Sequence, residues 1–482
     1  LMSELPSAIS DPVFGAIGAA ADELGYETYV IGGYVRDHLL QRNLPKDIDI
    51  VAVGSGISLA RLVAKKLGQN KVQVFKNFGT AQVRYGDREL EFVGARKESY
   101  RASSRKPVVE DGSLADDQNR RDFTINALAI GLNRNNWGEL LDPFGGIGDL
   151  NQGILRTPLD PETTFSDDPL RMLRAIRFSA QLGFTIENSA RRALEKQSQR
   201  LCIISRERIS EELHKIIDAP QPSRGLILLH ETGLLPHFLP EVSALAGVEE
   251  IDGKSHKDNF YHTAQVVDNL AKRSTKRWLR YAALFHDIGK PRTKRFVNGQ
   301  GWTFHHHEFV GGKMLKKIFQ RLHWPLGEPY RYVKKMVQLS SRPQAVVDDQ
   351  ATDSAARRLL FEAGDDIDDL MLLAESDITT RNQRKKEAFL TNFQKVRQRL
   401  KAVEEKDQVR NFQPPLSGEE IMQLFSLQPG PAIGKLKNAV KEAILEGEIE
   451  NNHQAARAFA EALANKWGMV SPGKEINSNT EK

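Results

Sequence analysis

The texture of the chain changes near residue 150, and that change sets the class of fold open to it. Upstream, short runs rich in Val, Ile, Tyr and Phe alternate with turn residues, as strands of a small sheet do. Strands are expected at Thr28–Ile31, Asp47–Val53, Val72–Phe75, Thr80–Tyr85 and Glu89–Val93, with helices at Phe14–Leu24, Val35–Leu40 and Ser58–Leu67. The polar, aperiodic stretch Ala95–Gln118 is expected to be a mobile loop, Phe123–Ile130 a helix, and Asp142–Gly146 a turn. Downstream of Leu150 nearly every segment has helical period and length, from Pro169–Leu182 through Glu328–Leu339 and Ile367–Asn382 to Arg384–Glu405. Pro414-Pro415 marks a linker, final helices are expected between Ser417 and Trp467, and the polar tail from Ser471 is expected to be disordered. Strands first and helices afterwards make an α+β chain.

At 482 residues the chain has room for about three domains. Its 40% hydrophobic and 27% charged residues fit a soluble globular protein, not a disordered or membrane one. Cys202 is the only cysteine, which excludes internal disulfides and cysteine-cluster zinc sites and points to a reducing cytoplasm. No run of ~18 apolar residues predicts a membrane span. The first 22 residues lack a basic start, so no signal peptide is expected. Charge is unevenly spread: Lys254–Gln344 holds 19 Lys+Arg against 5 Asp+Glu, whereas Ala345–Ile378 holds 10 acids against Arg357 and Arg358. A basic stretch of this size suits a polyanion such as nucleic acid; a lysine-coated helical surface facing an acidic one fits equally well.

Gly32-Gly33-Tyr34-Val35-Arg36-Asp37 follows a strand and opens a helix, where glycines let backbone N–H groups approach a phosphate and Arg36 adds a planar donor. Ten residues past Arg36 begins Asp47-Ile48-Asp49. Residues i and i+2 of a strand face the same way, so both carboxylates point into one place. Two like charges that close are tolerable around a cation, and oxygen-only ligands suit Mg2+. Asp-x-Asp alone would also fit the solvent face of an edge strand; the glycine loop upstream favours the site. Glu91, on a neighbouring strand, is either a third carboxylate or, by preference, an exposed strand residue.

Gly32 to Asp49, Arg120-Arg121-Asp122-Phe123-Thr124-Ile125-Asn126-Ala127, Asp142 to Gly146, Asp167-Asp168-Pro169-Leu170-Arg171 and Glu207-Arg208-Ile209 together resemble the five ordered motifs of class II tRNA nucleotidyltransferases. That family holds CCA-adding enzymes and bacterial poly(A) polymerases. The resemblance implies a mixed-sheet nucleotidyltransferase head, placed at residues 1–150, and then an all-α neck (151–235), body (236–405) and tail (406–482). It also implies that Asp47 and Asp49 hold Mg2+ and that Gly33 and Arg36 contact a triphosphate. Arg121, Asp122 and Asn126 would shape the ribose and phosphate site, though Asp122 also suits a helix N-cap.

Asp168 and Arg171, three apart, would share a helix face. A carboxylate accepts from an exocyclic amine and a guanidinium donates to a ring nitrogen. Cytosine and adenine offer that amine–acceptor pair; uracil and guanine offer a carbonyl and a ring N–H. Asp168 before Pro169 is equally a helix start, and the two roles are compatible. Arg174 and Arg177 continue the stripe, toward phosphate or toward solvent. In the family a loop like Ala95–Gln118 helps the switch from C to A addition, which argues against an enzyme adding only C.

His262, His286-Asp287, His305-His306-His307-Glu308 and Asp377 resemble an HD domain, a helical metal-dependent phosphohydrolase fold, so the body is expected to be HD-type. His262, His286, Asp287 and Asp377 would hold a divalent metal, with His307 a further ligand. Ser340 stands where another histidine is expected, so one ion at most and weak or no hydrolysis are expected.

The expected function is template-independent addition of C and A, from CTP and ATP, to the 3′ end of tRNA, with two-metal nucleotidyl transfer releasing pyrophosphate. The basic body and helical tail would hold the acceptor arm by backbone and shape. The alternatives are a poly(A) polymerase or A-only adding enzyme and, in another class, an RNA-binding HD phosphohydrolase with a vestigial head. The partners are thus tRNA, CTP and ATP, with no membrane.

Overall fold

The computed structural model describes residues 5–469 apart from 77–78, 102–103, 349–351, 381 and 411. Its contacts divide into two compact units, Leu1–Pro240 and Glu241–Lys482.

The first unit is built on a seven-stranded sheet. In chain order its strands are β1 (Thr28–Ile31), β2 (Asp47–Ala52), β3 (Val72–Phe75), β4 (Thr80–Tyr85) and β5 (Arg88–Gly94). A separate hairpin follows, β6 (Arg96–Arg101) with β7 (Ser104–Asp111), before β8 (Ala129–Gly131) and β9 (Leu140–Leu141) rejoin the sheet. The sheet order is β3-β4-β5-β2-β1-β8-β9, and only β2 and β5 run parallel. β1 is buried throughout because it lies inside the sheet. β2 alternates: Ile48 and Ile50 are fully buried on one face, leaving Asp47 and Asp49 on the other. The helix Gly56–Lys66 packs on β4 and β5 through Leu59, Ala60, Val63 and Ala64.

Two expectations for this unit fail. Residues 95–118 are not a loop but the β6–β7 hairpin and the helix Leu114–Asn119, entered by a Ser113–Asp116 capping box. Residues 123–130 are not a helix. Thr124–Asn126 form one 3-10 turn, and Ala129–Gly131 then pair with β1. Every residue from Asp122 to Leu132 is buried, so an apolar run that suits a helix also suits a strand covered on both sides. Further helices complete the unit, among them Leu170–Leu182, which packs on Arg206–Ile217 and Pro222–Glu231.

The second unit is helical apart from two small hairpins at residues 250–255 and 295–303. Trp278, Tyr281, Phe285, Phe319 and Trp324 form its aromatic centre, with Tyr281 and Trp324 ring centroids 4.5 Å apart. Helix Ile367–Ser376 ends six residues earlier than expected, placing Asp377 just beyond its end. Three tail helices, Gly418–Phe425, Pro431–Glu446 and His453–Lys466, lie in the region expected. The polar tail from Ser471 lies outside the described residues. No helix among the described residues is long and apolar enough to cross a membrane.

Candidate active site

The parallel pairing of β2 with β5 sets the register of the site. Asp47 lies opposite Glu89 and Asp49 opposite Glu91, so four carboxylates project from one sheet face. Glu91, by preference an exposed residue on sequence grounds, is only half-exposed. Burial and then the Asp49 charge push its carboxyl up. Burial also pushes Asp49 up, while the neighbouring Arg121 guanidinium pulls it back. Carboxylates pushed up by burial, with neighbouring acids adding to it, are what a cation relieves, and oxygen-only donors on one face fit a divalent ion.

Gly32 lets the loop pass this cluster. Its φ of +85° belongs to glycine, and a Cβ there would sit 3.1 Å from Arg121 Nη1 and 3.2 Å from Asp49 Oδ2. Gly33, the residue singled out from sequence, has no such constraint and simply begins the helix Gly33–Leu39. Arg36 on that helix donates to both carboxylate oxygens of Asp37 and, through Nη1, to Asn126 Oδ1 at 2.8 Å.

From Asn126 a buried chain runs on. Asn126 Nδ2 donates to Asp122 Oδ1 (3.0 Å), and Arg174 Nε donates to Asp122 Oδ2 (2.6 Å). Asp122 is therefore no helix N-cap; it is the acceptor joining the head to the helix Leu170–Leu182. Burial pushes its carboxyl up, but Arg174 and Asn126 outweigh that and hold it at about 2. Arg121 Nε donates to the fully buried Asp117, which also takes Arg120.

Arg171 and Arg177 are turned inward, each 8% exposed, whereas the Arg174 side chain stays 34% exposed while it bonds Asp122. Arg177 pairs with Glu212 at 3.2 Å, and the guanidiniums of Arg177, Arg36 and Arg174 lie 4.2, 5.0 and 5.5 Å from the Phe178 ring. Asp168 and Arg171 do not pair with each other. Arg171 Nη1 and Nη2 donate to the carbonyls of Thr164 (3.2 Å) and Arg120 (2.5 Å). Asp168 ends the helix Pro161–Asp167, and Pro169, not Asp168, is the N-cap of the next; Asp168 Oδ1 accepts from Leu170 N (3.1 Å) and Oδ2 from Arg208 (3.2 Å). Arg208, Asp117 and Phe178 were not singled out from sequence. Arg208 alone carried a signal, by lying within a motif.

In the second unit His262, His286 and Asp287 converge closely enough to share an ion. His262 Nδ1 is bonded to Thr379 Oγ1 (2.8 Å) and His286 Nδ1 to the Ala283 carbonyl (2.7 Å), so both Nε2 atoms are aimed inward. His262 Nε2 lies 2.8 Å from Asp377 Oδ1, and the buried His286 Nε2 has no hydrogen-bond partner. Lys290 Nζ sits 2.7 Å from Asp287 Oδ2, and His307 Nε2 is 3.4 Å from Asp287 Oδ1. His305 and His306 are exposed; His306, at φ +63°, turns the chain so that His307 faces Asp287. The Ser340 hydroxyl donates to the Val337 carbonyl.

Comparison with known proteins agrees with this architecture. Residues 28–156 match the poly A polymerase head domain, residues 258–357 the HD domain, and residues 327–460 the second domain of tRNA nucleotidyltransferases. An A-adding tRNA nucleotidyltransferase of Deinococcus radiodurans is 35% identical over 75% of this chain and 81% of its own. A CC-adding tRNA nucleotidyltransferase of Thermus thermophilus is 31% identical over 90% and 93%. The solved structure of the Bacillus stearothermophilus CCA-adding enzyme in complex with CTP shares the fold, with a TM-score of 0.65 and 23% identity over 96% of this chain and 98% of that one. With domain matches from residue 28 to 460 and relatives at 31–35% identity over most of both chains, the chain belongs to the tRNA nucleotidyltransferase and poly(A) polymerase family.

Proposed function

We propose that this protein completes the 3′-CCA end of tRNA, adding C and A from CTP and ATP and releasing pyrophosphate. The observation that carries the proposal is that strand register sets Asp47, Asp49 and Glu91 on one sheet face, within the same unit as Asp168 and Arg171.

Asp47 and Asp49, supported by Glu91, would hold Mg2+; when bound, it would lower the pKa of the RNA 3′-hydroxyl and neutralise the departing pyrophosphate. Arg36 and Arg121 border that cluster and would take the triphosphate oxygens. The 3′-hydroxyl attacks the α-phosphate in line, its proton leaves toward the carboxylate cluster, and the bond to the β-phosphate breaks. Asp122 and Asn126, hydrogen-bonded to Arg174 and Arg36, would shape the ribose and phosphate site by holding those guanidiniums in place.

Base choice rests on Asp168 and Arg171. Each carboxylate oxygen has two lone pairs, so Asp168 can accept from an exocyclic amine while still paired with Arg208 and Leu170. Arg171 uses two of its five N–H donors on carbonyls, which fixes the guanidinium plane and leaves others for a ring nitrogen. Uracil or guanine would leave buried groups unpaired at ~1–3 kcal/mol each.

The HD cluster would hold one divalent ion through His262, His286, Asp287 and Asp377. Lys290 already compensates part of its charge, and Ser340 adds no ligand, which fits weak or absent hydrolysis. The proposed compartment is the cytoplasm, supported by the single free Cys202.

The test is incubation of tRNA lacking CCA with CTP, ATP, both or neither, reading product length. Stepwise C, C, A addition that then stops supports the proposal. Extension by a single A only on tRNA ending in CC, or open-ended A tailing, overturns it in favour of the A-only or poly(A) alternative.

A further inference from the structure

The basic and acidic stretches of the second unit neutralise each other only in part. Lys335 pairs with Asp366, Lys276 with Asp369 (2.9 Å), Arg273 with Glu375 (2.5 Å) and Arg342 with Glu362 (3.8 Å). Those cations are accounted for by the chain's own acids.

The helix His307–Arg321 is different. Its inner face buries Met314, Leu315, Ile318 and Phe319. Its outer face repeats at helical spacing through Phe309, Lys313, Lys316, Lys317 and Gln320, all exposed. Lys313, Lys316 and Lys317 make no ion pair among the described residues. Phe309 is 53% exposed, and Lys313 Nζ stands 4.1 Å from its ring. Leaving three ammoniums unpaired side by side costs repulsion, and leaving a phenyl ring in water forgoes burial; both are relieved by an anionic partner that also brings flat faces.

We infer that this helix face grips the phosphate backbone of the substrate RNA. Nucleic acid supplies both what the lysines and what the ring require, namely closely spaced negative charge and stackable bases. A lipid surface needs a broad apolar face to insert, and Phe309 is the only apolar residue of this stripe. The inference rests on the tRNA reading above, and the experiment separates the two.

The triple variant Lys313→Gln/Lys316→Gln/Lys317→Gln is compared with wild type and with Lys65→Gln/Lys71→Gln/Lys76→Gln, an equal charge change on exposed lysines of the first unit. Binding of tRNA lacking CCA is measured against salt. Each phosphate contact contributes about 0.9 to the slope of log K against log [salt], so the slope should fall by about 2–3 and affinity at ~0.1 M salt by at least about 10-fold. The KM for tRNA should rise with kcat and the KM for CTP unchanged, and Lys→Arg at the same three positions should restore the slope. The first-unit variant should keep the wild-type slope. An unchanged slope in the stripe variant, equal losses in both variants, or loss of binding to phosphatidylserine vesicles with tRNA binding intact would overturn the inference while leaving the tRNA reading standing. A wild-type protein that neither binds nor extends tRNA overturns both.

Discussion

The buried contact between Asp122 and Arg174 makes a prediction with a sign, a size and a pH window. Asp122 is 6% exposed, and its carboxyl is held at about 2 against an ordinary value of 3.8. That depression is worth about 2 kcal/mol at neutral pH. For a carboxyl lowered on folding, the contribution is fully present above the unfolded value and is lost as pH falls through the folded one. Roughly half is therefore gone by pH 3. Asp122→Asn preserves shape and the acceptor for Phe123 N, but removes the negative charge facing Arg174, at a cost of about 2 kcal/mol for a pair buried on the Asp122 side and a third exposed on the Arg174 side. The gap between wild type and variant should then narrow by about 1 kcal/mol between pH 7 and pH 3. Urea unfolding read by hydrogen exchange in the peptide covering residues 170–182 isolates the helix concerned. A gap that does not change with pH, or one well under 1 kcal/mol at pH 7, would refute the argument that this ion pair fastens the helix.

Asp47→Ala and Asp49→Ala should each lower nucleotide addition by about 1000-fold or more with tRNA affinity nearly intact; normal turnover in both would remove the metal assignment. Arg171→Ala should lose about 1–3 kcal/mol of discrimination against UTP and GTP, roughly 5- to 150-fold in relative kcat/KM, or lose C and A incorporation altogether; wild-type selectivity would reduce the residue to a structural tie. His286→Ala should abolish divalent-metal content of the purified protein, measured by elemental analysis, while CCA addition persists. Gly289→Ala would push a Cβ to 2.0 Å from the His307 carbonyl oxygen, so it should cost about 1–3 kcal/mol in the second unit's unfolding transition; an unshifted transition would mean the two segments separate freely.

Much of this molecule was legible in residue order, and the failures have physical causes. β2 showed itself because its two faces differ, Asp47 and Asp49 against Ile48 and Ile50. The β6–β7 hairpin was missed because its strands form a sheet of their own and their largely polar sequence carries no clear alternation. β8 was missed for the opposite reason: it is buried on both sides, and an unbroken apolar run does not distinguish strand from helix. Within the site, Asp-x-Asp was visible as a local pattern, whereas the pairing of Asp49 with Glu91 exists only through strand register. The burial of Arg171 and Arg177 was likewise hidden. Three-residue spacing says that they share a side of a helix, not which side is covered.

The position of β1 also dictates a timetable for synthesis. Val30 pairs with Ile50 on one side and with Ile130 on the other. Closing the second loop costs about 1.4 kcal/mol more chain entropy than closing the first, so the β1–β2 hairpin is the earlier event. At about 5–20 residues per second, the growing polypeptide then waits on the order of 4–16 s before residues 129–131 are made. Through that interval Thr28–Ile31 offers an open row of amides and carbonyls flanked by β-branched side chains, the kind of edge that recruits another nascent chain. A ribosome stalled before residue 129 would hold the head in this sticky state, and a holdase acting on the emerging chain would have its binding site there.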